Sequence, residues 1–236
     1  MSANASAGGR PRLALFDLDH TLLDGDSDVL WCEFLMQRGL LERASFAARN
    51  EAMEREYRAG TVSAAAFAGF YVSTLAGRSA ADCEPLRRAF LHEVVLPRIG
   101  GAARELVAAR QRDSALVVLT TATNRVITEL TAEHLGITHL IATECELDAA
   151  GRYSGRPAGT LNMREGKVTR LHDWLRARGS ALAEHESWAY SDSSNDLPLL
   201  EAVDHAVVVH PDERLARIAA ERGWPSLRLR AAPAPT

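Results

Sequence analysis

Beyond Gly101 the chain alternates short apolar runs with longer amphipathic segments, and that alternation leaves few folds open. Strand-like Ala115–Leu119, His139–Ala142, Ser187–Tyr190, Ala206–Val209 and Ser226–Leu229 are separated by helix-like Asn124–Leu135, Arg164–Arg178, Asp196–Ala202 and Asp212–Arg222. Runs this apolar must be covered on both faces, so the repetition predicts an α/β fold with a Rossmann-like parallel sheet core and helices on both sides. Leu13-Ala14-Leu15-Phe16 is a further buried strand of the same kind, and Ala102–Arg112 reads as a helix leading into the repeat. Tyr153, flanked by Gly151 and Gly155, marks a small hairpin or loop.

Between the first strand and the others lies a stretch with no strand pattern. Its helical pieces run Ser27–Arg38, Leu41–Arg58, Ser63–Leu75 and Asp82–Leu96, with breaks at Gly39, Gly60 and Gly77. The expected organisation is a core of residues 12–24 and 98–230, with an all-helical cap of residues 25–97 inserted after the first core strand. Residues 1–11, rich in Ala, Ser and Gly, read as a disordered leader, and residues 231–236 as a frayed tail. A cap inserted there stands near the carboxyl ends of the strands, where open α/β sheets bind ligands.

Those strand ends carry the reactive side chains. The first strand runs directly into Asp17-Leu18-Asp19, followed by Thr21, and the second ends in Thr120-Thr121-Ala122-Thr123. Lys167 stands at the start of a helix, and Tyr190-Ser191-Asp192-Ser193-Ser194-Asn195-Asp196 closes a later strand. Each has a plainer reading by itself: a solvated acidic turn, a threonine helix cap, a capping loop. Lys167 stands out because 26 of the 27 basic residues are Arg and it alone is Lys. Either codon bias spared it, or its site takes a compact ammonium and no planar guanidinium.

In order and content these four elements resemble the motifs of the haloacid dehalogenase superfamily phosphatases, over nearly the whole chain from Leu13 to about Val209. The resemblance implies Asp17 as a nucleophile forming an aspartyl-phosphate and Asp19 as general acid/base. It implies Thr121, Lys167 and Asn195 as phosphate ligands. Mg²⁺ would be held by Asp17, Asp19 and Asp192, with Asp196 supporting the metal. The chemistry is coherent, because a phosphate dianion repels a carboxylate until cations neutralise it, and hard oxygen ligands suit Mg²⁺. The second Asp, at 19, favours phosphoryl over dehalogenase chemistry, since only a leaving alcohol needs an acid. His20 is given no catalytic role.

The helical cap is similar to that of the subgroup containing phosphoserine phosphatase, where an acid nine residues after the nucleophile holds the substrate's amino group. That position is Asp26 here, flanked by Asp24 and Asp28, and the same trio suits an ordinary helix N-terminus. The position matching the subgroup's carboxylate-binding Arg falls on Gly69, with Arg55 or Arg58 as possible substitutes. Strings such as Gly151-Arg152-Tyr153-Ser154-Gly155-Arg156 and Gly166-Lys167-Val168-Thr169-Arg170-Leu171 resemble a proteobacterial branch, some of whose members act on histidinol phosphate. The expected substrate is therefore a small-molecule phosphate monoester, histidinol phosphate first, with phosphoserine or a broader range of small metabolites as alternatives. A phospho-aspartate regulator and a non-catalytic binding module are the readings from other classes.

A net charge of −4 without any basic block argues against nucleic-acid or anionic-membrane partners. Three scattered cysteines, Cys32, Cys83 and Cys145, form no disulfide framework or metal knuckle. With no secretory leader and no apolar span, the expected location is the cytoplasm.

Overall fold

The computed structural model describes residues 9–229. Seven strands form one sheet in the order β4-β3-β2-β1-β5-β6-β7. They are β1 (Arg12–Phe16), β2 (Leu116–Asn124), β3 (His139–Leu147), β4 (Tyr153–Ala158), β5 (Glu186–Ser191), β6 (His205–Val209) and β7 (Ser226–Leu227). All neighbouring pairs are parallel except β3 and β4. The predicted hairpin at Tyr153 is this antiparallel edge, with Leu147 opposite Tyr153 and Glu144 opposite Ala158.

β1 sits at the centre, and the alternation of its side chains divides the core. Leu13 and Leu15 join Val118 and Ile141 beneath α7 (Glu165–Arg176), α8 (Leu197–Ala202) and α9 (Glu213–Arg222). Ala14 and Phe16 face the other way, toward α5 (Gly101–Asp113) and α6 (Arg125–His134). Covering both faces is what lets a run with no exposed residue from Leu13 to Phe16 exist as a strand.

Between Asp26 and α5 the chain folds as helices: α1 (Ser27–Gln37), α2 (Arg43–Arg58), α3 (Ala64–Val72) and α4 (Ala80–Phe90). α3 continues into a 3₁₀ turn at Ser73–Leu75, and α4 into a π turn at Leu91–Val95 and a 3₁₀ turn at Leu96–Arg98. Ser79 and Asp82 cap α4 reciprocally, which explains its start two residues before the predicted Asp82. Trp31 of α1 packs on Phe34 and Phe90 while its indole N–H donates to Thr74 at 3.1 Å, and these rings continue the cluster of Ala14 and Phe16, tying the cap to the core. Gly60 ends α2 with a φ of +70°, a conformation that suits a residue without Cβ.

Two strands outrun their sequence expectation. β2 continues past Leu119 through Thr120–Asn124, because the threonines are β-branched and their hydroxyls find buried partners. β3 continues past Ala142 because β4 pairs with its far half. At the other extreme, residues 9–11 of the expected leader are placed in the structure. Arg10 already pairs with Asp204 at 2.9 Å and with the Ala183 carbonyl, while residues 1–8 and the tail 231–236 lie outside the described residues.

Candidate active site

Asp17 follows β1 at the carboxyl edge of the sheet, and its N–H donates to the Tyr190 carbonyl of β5 at 3.0 Å, continuing the ladder by one residue. One oxygen accepts from Lys167 Nζ at 2.7 Å, and the other from the Thr21 hydroxyl at 3.2 Å. Lys167 lies in the first turn of α7, with 1% of its side chain exposed, and donates also to Asp196 at 2.6 Å. Asp196 accepts a further bond from Ser191 at 2.8 Å. Burial alone opposes the ammonium, but the charges of Asp17 and Asp196 outweigh it and hold the lysine above its ordinary pKa. Burial, together with the charges of Asp196 and Asp19, lifts Asp17 to about 7 despite Lys167.

Asp192 stands beside this group. Its N–H donates to the Thr21 oxygen at 3.0 Å, and the Thr21 hydroxyl lies 3.3 Å from its carboxylate. A single hydroxyl hydrogen serves either Asp17 or Asp192, so these neighbouring carboxylates are short of donors. Desolvation and the charge of Asp17 push Asp192 well above the usual carboxylate range. Two hard-oxygen acids held together at this cost suit a divalent cation such as Mg²⁺.

Asp19 faces elsewhere. Its carboxylate accepts from the Ser27 N–H at 2.7 Å, from the Thr123 hydroxyl at 2.9 Å and from the Thr121 hydroxyl at 3.3 Å. These bonds engage the Asp19 carboxylate with the start of α1 and the end of β2, whereas Asp17 and Asp192 share Thr21. Neither Thr121 nor Thr123 caps α6; Asn124 does, accepting from the Ile127 N–H at 3.3 Å.

On the cap side, Asp26 is the N-cap of α1 and accepts from the N–H groups of Asp28 and Val29. Burial and then the charge of Asp19 raise it to about 8. One oxygen of Asp28 lies 3.0 Å from the same Thr123 hydroxyl, whose single hydrogen serves either Asp19 or Asp28, while the other Asp28 oxygen, buried, has no partner among the described residues. A Cβ at Gly69 would meet no atom within 4 Å. Arg55 is exposed and pairs with Glu51; Arg58 pairs with Glu54 and contacts His20. Arg58, His20, Tyr57 and Asp192 line a cavity of about 250 Å³ at the seam between cap and core.

Asn195 is engaged with the cap. Its amide oxygen accepts from Arg164 at 3.0 Å and its nitrogen donates to the Tyr57 carbonyl at 3.0 Å, leaving one N–H for any phosphate contact. Arg164 and Asp28 are thus site residues that sequence reasoning left without a part. In a chain with 26 arginines nothing marked this one.

Residues 14–201 match the model of the haloacid dehalogenase-like hydrolase family. The chain is 39% identical, over 92% of its length and 99% of the relative's, to a histidinol-phosphatase of Neisseria meningitidis serogroup C. It is 31% identical to a phosphoserine phosphatase of Mycobacterium tuberculosis, over 89% of this chain and 68% of that one. A solved structure from Bordetella pertussis Tohama I, of a protein described as having unknown function, superposes with a TM-score of 0.88 at 40% identity, covering 94% of this chain and all of the other. A substrate-bound phosphoserine phosphatase shares the fold, with a TM-score of 0.65 at 16% identity, over 89% of this chain and 91% of that one.

Proposed function

Because the chain belongs to the haloacid dehalogenase-like hydrolase family, we propose that it is a Mg²⁺-dependent phosphatase that hydrolyses a small phosphate monoester through an aspartyl-phosphate on Asp17. The observation that carries this reading is the Lys167 ammonium bonded to Asp17 with Asp192 one hydroxyl away. That grouping supplies a carboxylate nucleophile and the cationic partner a phosphate dianion requires. Mg²⁺ held by the carboxylates of Asp17 and Asp192 would supply the remaining charge neutralisation.

In the proposed reaction an oxygen of Asp17 attacks phosphorus and the bond to the ester oxygen breaks. The departing alkoxide takes a proton from Asp19, whose carboxyl is steadied by Ser27 and Thr123. Water then attacks the phosphorus of the aspartyl-phosphate and gives its proton back to Asp19, releasing phosphate and regenerating Asp17. Lys167 stays charged throughout and is shared between Asp17 and the transferring oxygens. Thr121 and the remaining N–H of Asn195 are assigned to the phosphate.

For the substrate, histidinol phosphate is favoured over phosphoserine. Asp26, a buried acid near Asp19, suits an ammonium group, and an arriving cation would restore its ionised form. No arginine stands at Gly69 to receive a substrate carboxylate, and Arg55 is committed to an exposed ion pair. The Neisseria relative's name points the same way.

The test is phosphate release with Mg²⁺ from histidinol phosphate, phosphoserine, sugar phosphates and nucleotides. The highest kcat/KM is expected for histidinol phosphate. A preference for phosphoserine would overturn the substrate assignment, and no Mg²⁺-dependent release from any ester would overturn the reaction.

A further inference from the structure

Arg164 precedes α7 with φ +52° and ψ −126°, a conformation that residues bearing a Cβ rarely hold without support. The support is visible. One guanidinium nitrogen donates to the carbonyls of Gly60 at 2.9 Å and Val62 at 3.1 Å, and another to Asn195 at 3.0 Å. Asn195 donates in turn to the Tyr57 carbonyl. One guanidinium and one amide from the core therefore hold three carbonyls of the cap, spanning the turn between α2 and α3. The Arg164 carbonyl also accepts the N–H of Lys167 at 3.0 Å, so the strained residue is joined directly to the helix turn that aims the ammonium.

Asp17, Asp26, Lys167 and Asp196 are all more than nine-tenths buried, so an ester reaches them only if a covering segment moves. α2 is the cap helix with least to hold it: Asn50 is its one buried residue. Its last turn carries the half-buried Tyr57, which lines the seam cavity together with Asp192. Among the described residues the polar ties from residues 43–62 to the core are the three carbonyls named above and the Arg58–His20 contact.

We propose that Arg164 and Asn195 form a latch that holds the α2–α3 turn, and with it Tyr57, closed over the site, and that release of this latch admits substrate and lets phosphate leave. Arg164 is a positioning residue, acting through the turn on one side and through Lys167 on the other. The backbone strain makes the closed state depend on the latch bonds, because opening removes the contacts that oppose relaxation of Arg164.

Hydrogen exchange on the full-length, substrate-free protein tests the latch without reference to turnover. Amides of residues 57–63 are expected to exchange about tenfold faster in Arg164→Ala and in Asn195→Ala, with those of α4 unchanged. Arg164→Lys should fall between Arg164→Ala and the wild type. Arg164→Gly, which removes both clamp and strain, should exchange like Arg164→Ala but melt at a higher temperature. The kinetic arm rests on the phosphatase reading: KM should rise more than kcat falls in Arg164→Ala. Unchanged exchange at 57–63 in both folded alanine variants, or uniform acceleration along the whole chain, would overturn the latch. Absence of turnover in the wild type would instead count against the phosphatase reading and leave the exchange result to decide the latch.

Discussion

Lys167 Nζ lies 2.7 Å from Asp17, although the two residues are 150 positions apart in sequence. The contact joins the end of the central strand to the first turn of α7 and places a cation on the nucleophile before any ligand arrives. An ammonium serves here because it is compact and offers three donors, and two are already spent on Asp17 and Asp196.

Replacing the nucleophile should separate activity from stability. Asp17→Asn is expected to lower phosphate release by about a thousandfold or more, since covalent catalysis has no substitute at that position. The same variant removes an acid that burial disfavours, so in chelator it should melt no lower than the wild type. A melting temperature well below wild type would mean that Asp17 is chiefly structural.

The lone lysine should tolerate neither of its nearest replacements. Lys167→Met leaves Asp17 and Asp196 without their shared partner, and breaking a buried pair costs about 3–5 kcal/mol. Lys167→Arg keeps the charge but forces a planar fork into a fully packed site, so both its melting temperature and its kcat should fall. Normal values for the Arg variant would favour codon bias as the reason for this lysine.

Acid groups with raised pKa values set the pH response of the metal-free protein. Unfolded aspartates titrate near 3.9, whereas Asp17 and Asp26 hold their protons to about 7 and about 8. Between those limits the folded chain binds more protons than the unfolded one, so stability falls as pH rises from about 4 to 8 and then levels. His134 and His139, both pushed down first by burial and then by a nearby arginine, act in the opposite sense below the ordinary histidine pKa of about 6.5 and soften the slope. Thermal melts in chelator should fall from pH 5 to pH 8, and Mg²⁺ should stabilise more at pH 8, where the acids it needs are closer to ionised. A melting temperature that climbs steadily over this range in chelator would contradict the arrangement.

Gly166 is fixed by contact. A Cβ there would overlap the Leu161 carbonyl oxygen. Gly166→Ala must displace either the loop before α7 or the first turn that carries Lys167. A cost of about 1–3 kcal/mol is expected, with a fall in kcat in the fraction that remains folded. Circular-dichroism melts and phosphate release on the same sample would check both.

Period and punctuation in the chain were enough to predict the sheet core, the helical stretch after β1, and Asp17, Thr121 and Asp192 at strand ends with Lys167 at the start of a helix. Those features depend on local burial pattern and on the rule that parallel strands present their carboxyl ends to one edge. Asp26 likewise was recognisable as both a helix cap and a cap-facing acid. Tertiary structure alone decided the direction of the Asp19 carboxylate, because Ser27, Thr121 and Thr123 reach it from different elements. It also decided that Asn195 serves the cap and that Arg164 clamps it. Residues brought together by folding, such as Arg164 and Gly60, share no spacing that a pattern can register; their meeting is set by how α7 and the cap pack on the sheet.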